Sequence, residues 1–130
     1  MTPDLIELSK RAVACKNFRW MPGMQRHDGY RYLGSGMWAR WSDTAAVVTA
    51  LHMPEQYPDL TDSATLGCMM TLVREAWAPH RGENYICSTL NAPSGWGIGA
   101  RFGSEGLTAI VSPTCATEAE ALVRALEAAP

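Results

Sequence analysis

The hydrophobic period of this chain changes four times, from helical spacing to alternation and back twice. That restricts it to folds that interleave helices with short hairpins. Leu5, Leu8, Ala12 and Cys15 recur at steps of three and four. Thr2 is placed to cap this first helix, Pro3 suits its first position, and Asp4 and Glu7 favour the positive end of its dipole. Two aromatic runs, 29–33 and 37–41, flank Gly34-Ser35-Gly36 and predict a hairpin. Residues 45–51 suit either a third strand or a short helical turn. Asp59 to Asp62 supplies caps for a second helix with Leu66, Met69, Met70, Val73 and Trp77 on one face, and Pro79 closes it. Residues 85–90 and 96–102, joined by a loop over 91–95, predict a second hairpin, with 107–111 as one more strand. Thr117-x-x-Glu120 is a capping box, and Leu122, Ala125, Leu126 and Ala129 form the inner face of a last helix.

Strands joined by tight turns are antiparallel. The expected architecture is therefore a single α+β domain over residues 1–130, in the order α-ββ(β)-α-ββ(β)-α. It has an antiparallel or mixed sheet of four to five strands and three helices packed on one or both of its faces. A chain of 130 residues buries roughly two-thirds of its unfolded surface and needs no metal or disulfide staple. At 47% hydrophobic and 18% charged it is neither disordered nor of low complexity. No apolar run reaches the ~18 residues of a membrane span, and the N-terminus is amphipathic rather than signal-like. Four scattered cysteines without a CxxC pair predict a reduced, cytoplasmic protein.

Charge is distributed unevenly. Residues 10–42 hold seven bases (Lys10, Arg11, Lys16, Arg19, Arg26, Arg31 and Arg40) against one acid, Asp28, while the rest of the chain carries four bases and twelve acids. The sequence pI near 5.9 disfavours a nucleic-acid partner, but a local cluster still acts over a Debye length of about 8–10 Å. Six of the eleven aromatics, Phe18, Trp20, Tyr30, Tyr32, Trp38 and Trp41, lie in this basic window. An aromatic face stacks on a nucleobase and arginine takes charge-assisted hydrogen bonds from a phosphate. Arg19, Trp20, Arg26, Arg31, Trp38 and Arg40 are accordingly the candidate ligand-binding residues. Strand alternation puts Trp38 and Arg40 on one face, expected to be exposed, with Trp41 turned to the core. The same residue types also suit a solvated face, a sheet cover or a dimer interface.

Other chemistry has weaker support. Zinc sites show close ligand pairs, whereas the nearest candidates are Cys15 with His27 and His80 with Cys87, at spacings of 12 and 7. Cys15 and Cys68 fall on apolar helix faces and read as core side chains. His27-Asp28 is a candidate acid–base pair, but no G-x-S-x-G or HExxH motif accompanies it. The glycines of Gly95-Trp-Gly-Ile-Gly99 do not open a helix, so they are not a dinucleotide loop. No catalytic residue, cofactor or metal is expected.

Three stretches carry a resemblance: Lys10 to Lys16 with Arg19-Trp-Met-Pro-Gly-Met24, Pro58 to Cys68 running to Val73-Arg-Glu-Ala-Trp77, and Thr117 to Leu122. They resemble small uncharacterised proteins encoded by tailed phages and prophages. The layout is similar to the phage α/β/α sandwich domain family. The resemblance covers about half the chain, departs over 25–57 and in the strands, and implies a phage setting in the host bacterial cytoplasm but no chemistry. The resulting expectation is a small non-catalytic binding protein that captures a nucleotide-like anionic signalling molecule of host defence through the arginine–aromatic segment. The alternative is a protein–protein binder, as a homodimer or an inhibitor of a host protein, using exposed Trp and Met. A nucleotide hydrolase built on His27 or His80 with a nearby acid ranks third.

Overall fold

A computed structural model describes residues 1–41, 46–49, 55–81, 85–93, 95–102, 107–110 and 114–130. Helix α1 spans Pro3–Ala14, and the Thr2 hydroxyl accepts from the Leu5 N–H at its start. Strands β1 (Arg31–Gly34), β2 (Met37–Trp41) and β3 (Ala46–Thr49) follow. Helix α2 spans Ser63–Arg81, then come β4 (Tyr85–Ala92), β5 (Gly95–Phe102) and β6 (Leu107–Ile110), and α3 spans Glu118–Ala128. The described elements thus make a small α+β fold with three helices and antiparallel strands.

Those strands form two three-stranded sheets, β1-β2-β3 and β4-β5-β6, rather than one sheet of four to five. The long α2 separates the two hairpins in sequence. The second sheet packs on the helices, with α2 against β4 and α3 against β5. Leu72, Val73, Leu122, Val123, Leu126 and Ile98 are all at most 1% exposed there. Buried Trp77 of α2 donates its Nε1–H to the Ala125 carbonyl of α3 at 2.9 Å, tying the two helices. The Thr117 hydroxyl accepts from the Glu120 N–H, as the capping box requires.

One local expectation changes and one open alternative is decided. Pro79 does not close α2, which continues to Arg81. In a last helical turn, proline forfeits one backbone bond while its φ stays helical. Residues 46–49 form a strand rather than a helical turn, because they pair with β2 from Trp38↔Thr49 to Trp41↔Ala46.

The first sheet joins the rest of the molecule through the segment before it. The β1–β2 hairpin closes on Ser35 and Gly36, both at positive φ (54° and 76°), the requirement of a type I′ loop. Along the other edge of β1 run residues 23–26: Gly23 N–H donates to Tyr32 O, Tyr32 N–H to Met24 O and Arg26 N–H to Tyr30 O, at 2.7–2.8 Å. Asp59 N–H donates to Gln25 O and His27 N–H to Tyr57 O, so the segment is held on both sides. Met24, fully buried, plugs it into the helical core.

Candidate functional site

The 26–30 turn and strand β2 stack cations and rings against one another. Arg26 is 0% exposed, and its guanidinium lies 4.9 Å from the centroids of both Tyr30 and Trp38. Its Nε and Nη2 donate to the two carboxylate oxygens of Asp28 at 2.7 and 2.5 Å. Gly29 N–H returns to Arg26 O at 2.9 Å, closing the turn that brings Asp28 back. Arg40, two residues along β2 from Trp38 and so on the same face, places its guanidinium 5.8 Å from Tyr30. Behind Trp38 stand Trp20 and Tyr32, each at 4.9 Å, and Phe18 packs edge-on against Trp20 at 5.5 Å.

Among the described residues the group is short of negative charge. Two guanidiniums share the Tyr30 ring, and Asp28 pairs with one of them, Arg26. Among the described residues Arg40 makes no ion pair, and Arg26 Nη1 is buried without a hydrogen-bond partner. Burial pushes the Asp28 carboxyl up. The hydrogen bonds and charge of Arg26, with His27 and the Tyr30 N–H, more than offset that and hold it below the usual aspartate value.

The six sequence candidates separate. Trp20, Arg26, Trp38 and Arg40 come together, whereas Arg19 and Arg31 do not join them. Arg31 donates to Gly23 O, to Gln25 Oε1 and to both oxygens of Asp62, so its fork is filled by the fold. Arg19 lies in an exposed pair with Glu75 at 2.5 Å. The expectation of an exposed Trp38 is corrected: it is 4% exposed, because Arg26, Trp20 and Tyr32 cover it, and no base can stack on it. The side chains of Trp41, His80 and Cys87 lie outside the described residues. His27 and Asp28 are not arranged as an acid–base pair. The carboxylate is taken by Arg26, and His27 stacks on Tyr57 at 3.9 Å.

Sequence reasoning missed Tyr30 as a site residue and missed the carboxylates that occupy the arginines. For Asp28 a signal was present, its position two residues from Arg26 in the basic window. Cys15, Cys68 and Cys115 are free thiols whose pKa burial pushes up. Among the described residues no cluster of His, Cys, Asp and Glu is placed to hold a metal ion, and no helix is long and apolar enough to cross a membrane.

Asp62 makes the clearest pH prediction. Burial raises its carboxyl, but Arg31 and the N–H and hydroxyl of Thr65 bring it below the ordinary value of 3.8. A carboxylate depressed in the folded state stabilises it above the unfolded pKa, and the contribution is lost as pH falls through the folded pKa. Acid titration should therefore erode stability from about pH 4 downward. Asp62→Asn should make that acid limb shallower and lower the neutral-pH stability by about 0.5–1 kcal/mol, because asparagine still caps the helix but loses the charge paired with Arg31. Denaturant melts across pH read both. An acid limb of unchanged slope in the variant would refute the assignment.

Comparison with protein-family models, curated proteins and solved structures returns no match for this chain.

Proposed function

We propose that this chain is a non-catalytic binding protein that captures a small phosphate-bearing, nucleotide-like anion beside Arg40 and Tyr30. The observation that carries the reading is the charge imbalance at Tyr30: two guanidiniums over one ring, of which only Arg26 meets a carboxylate, that of Asp28, among the described residues. Arg40 is exposed and Tyr30 half-buried, so a ligand reaches both directly, while buried Arg26 adds positive potential from beneath. Low local dielectric strengthens that potential. Tyr30 offers the ring for a base, a role that Trp38 cannot fill. In the phage setting that the sequence resemblance implies, withholding a host signalling nucleotide is the corresponding use.

Thermal melts against phosphate, mononucleotides and cyclic dinucleotides test this. A ligand at ~100 times its Kd adds about 2.7 kcal/mol, a shift of several degrees. Arg40→Ala, an exposed change expected to alter basal stability by no more than about 0.5 kcal/mol, should abolish the shift. A flat panel, or an equal shift in Arg40→Ala, would overturn the reading.

Exposed Leu33 (51%) and Met37 (36%), on either side of the hairpin loop, favour a second reading, a protein–protein contact at the β1–β2 tip. Among the described residues Trp38 and Trp77 are buried and Trp20 and Trp96 half-buried, so the exposed apolar side chains of this surface are Leu33 and Met37. Capture of a partner that Leu33→Asp abolishes, with no ligand-dependent melt, would decide for it.

A further inference from the structure

A groove of about 650 Å³ runs between α1 and the start of α3, and it shares no residue with the Tyr30 cluster or the hairpin tip. Thr2 and Thr117, which cap the two helices, both lie at one end of it. Arg11 stands at the other end and pairs with Glu127, far along α3. The two helices therefore run side by side in the same direction. The groove follows α1 from Thr2 to Arg11, about 14 Å of helix.

Its floor is apolar, from Leu5, Leu8 and Ala116, and its walls carry Asp4 and Glu7 on α1 and Glu120 on α3. Leu5 is half-buried and Ala116, Asp4 and Glu7 are exposed, so a partner reaches both floor and wall. The neighbouring bases are already engaged: Arg11 donates to both carboxylate oxygens of Glu127, and Arg124 donates to Glu120. Asp4 and Glu7 make no ion pair among the described residues. After this pairing the groove keeps two accessible negative charges along one wall of an apolar floor.

We infer that this groove docks a basic amphipathic helix of a partner protein, lying antiparallel to α1 and α3. The apolar floor gives nothing to a free cation but takes the anchors of a helix at i, i+3, i+4 and i+7, and the groove is long enough for two to three turns of one. Asp4 and Glu7 select lysine or arginine on the flank of that helix. Its direction follows from the dipoles. The two described helices present their positive ends together, and an antiparallel helix sets its negative end against them. Basic residues are favoured in the last turn of any helix, and in this orientation that turn lies beside Asp4 and Glu7.

Fluorescence anisotropy of a labelled amphipathic peptide of about 14 residues, with leucines on one face and lysines on its flanks and in its last turn, is the test. The intact protein should bind it saturably. The same peptide with glutamate in place of lysine should not bind. A peptide of equal composition, reordered so that its leucines no longer share a face, should bind about tenfold more weakly or worse, which simple charge attraction would not produce. Ala116→Arg fills the floor from an exposed position ahead of the Thr117 cap, and Glu7→Lys reverses an exposed wall charge. Each should weaken the peptide by about fivefold or more. Leu33→Asp should bind it as the wild type does, which separates this surface from the β1–β2 tip. Absence of saturable binding, equal binding of the reordered peptide, wild-type affinity in both Ala116→Arg and Glu7→Lys, or loss of binding in Leu33→Asp would each overturn the inference.

Discussion

Replacing Arg26 with methionine is expected to lower the unfolding free energy by about 3 kcal/mol, and the melting temperature by about 10 °C. Methionine keeps much of the volume between Tyr30 and Trp38 but removes two charge-assisted hydrogen bonds to Asp28. It also removes two cation–ring contacts at 4.9 Å, each worth up to about 2 kcal/mol when desolvated. Two effects reduce the loss. The buried Nη1 that lacks a partner disappears, returning about 1–3 kcal/mol, and Asp28 is 26% exposed, so its orphaned carboxylate is partly hydrated. A double variant, Arg26→Met with Asp28→Asn, should recover about a third to a half of the loss by removing the unpaired charge. Urea unfolding of the three proteins measures the cycle. A single-variant loss below about 1 kcal/mol would mean that the aromatic rings, not the cation, hold the hairpin on the core.

Gly95→Ala should be comparably damaging for a different reason. An added Cβ would lie 2.5 Å from the Cys115 carbonyl oxygen and 2.9 Å from Thr114 Cγ2, and the backbone there is at φ +124°. The first clash is with backbone that is fixed, because Trp96 and Cys115 exchange both of their N–H···O bonds at 2.7 and 2.8 Å. Overpacking of about 1–3 kcal/mol and conformational strain of similar size add, so a loss near 3 kcal/mol or more is expected. Gly36→Ala is the control: φ is +76° but nothing lies within 4 Å, so strain alone should cost about 1–2 kcal/mol. Equal losses in the two variants would show that backbone conformation, and not the approach of residue 115, makes glycine necessary at 95.

Much of the local architecture was legible in the sequence because its causes are local. The hydroxyls of Thr2 and Thr117 sit three residues from the N–H groups they accept. Gly34-Ser35-Gly36 carries the positive-φ turn between two aromatic runs. The apolar face of α2 reads largely off its spacing: Met69, Val73 and Trp77 are buried and Leu66 and Met70 partly so, while buried Leu72 was not among the residues expected there. Alternation also placed Trp38 and Arg40 on one face, yet it could not show that Arg26, from a turn twelve residues earlier, covers the first and leaves the second open. The division of the described strands into two sheets was likewise not written locally, since either hairpin can extend a sheet until packing on α2 and α3 selects one.

By itself the sequence determined the element order, the helix caps, the hairpin loop and the concentration of arginine and aromatic residues in one window. These follow from φ/ψ preference, side-chain period and charge count, which act over a few residues. Which arginines remain available to a ligand was decided only by tertiary structure. Arg31 meets Asp62 across 31 residues, Arg19 meets Glu75 across 56, and Arg11 meets Glu127 across 116, while Arg40 meets no carboxylate among the described residues. An ion pair depends on distance in space, and folding brings acids from the rest of the chain onto the basic window. The charge left over after that pairing locates the candidate site, and the composition of the window alone could not.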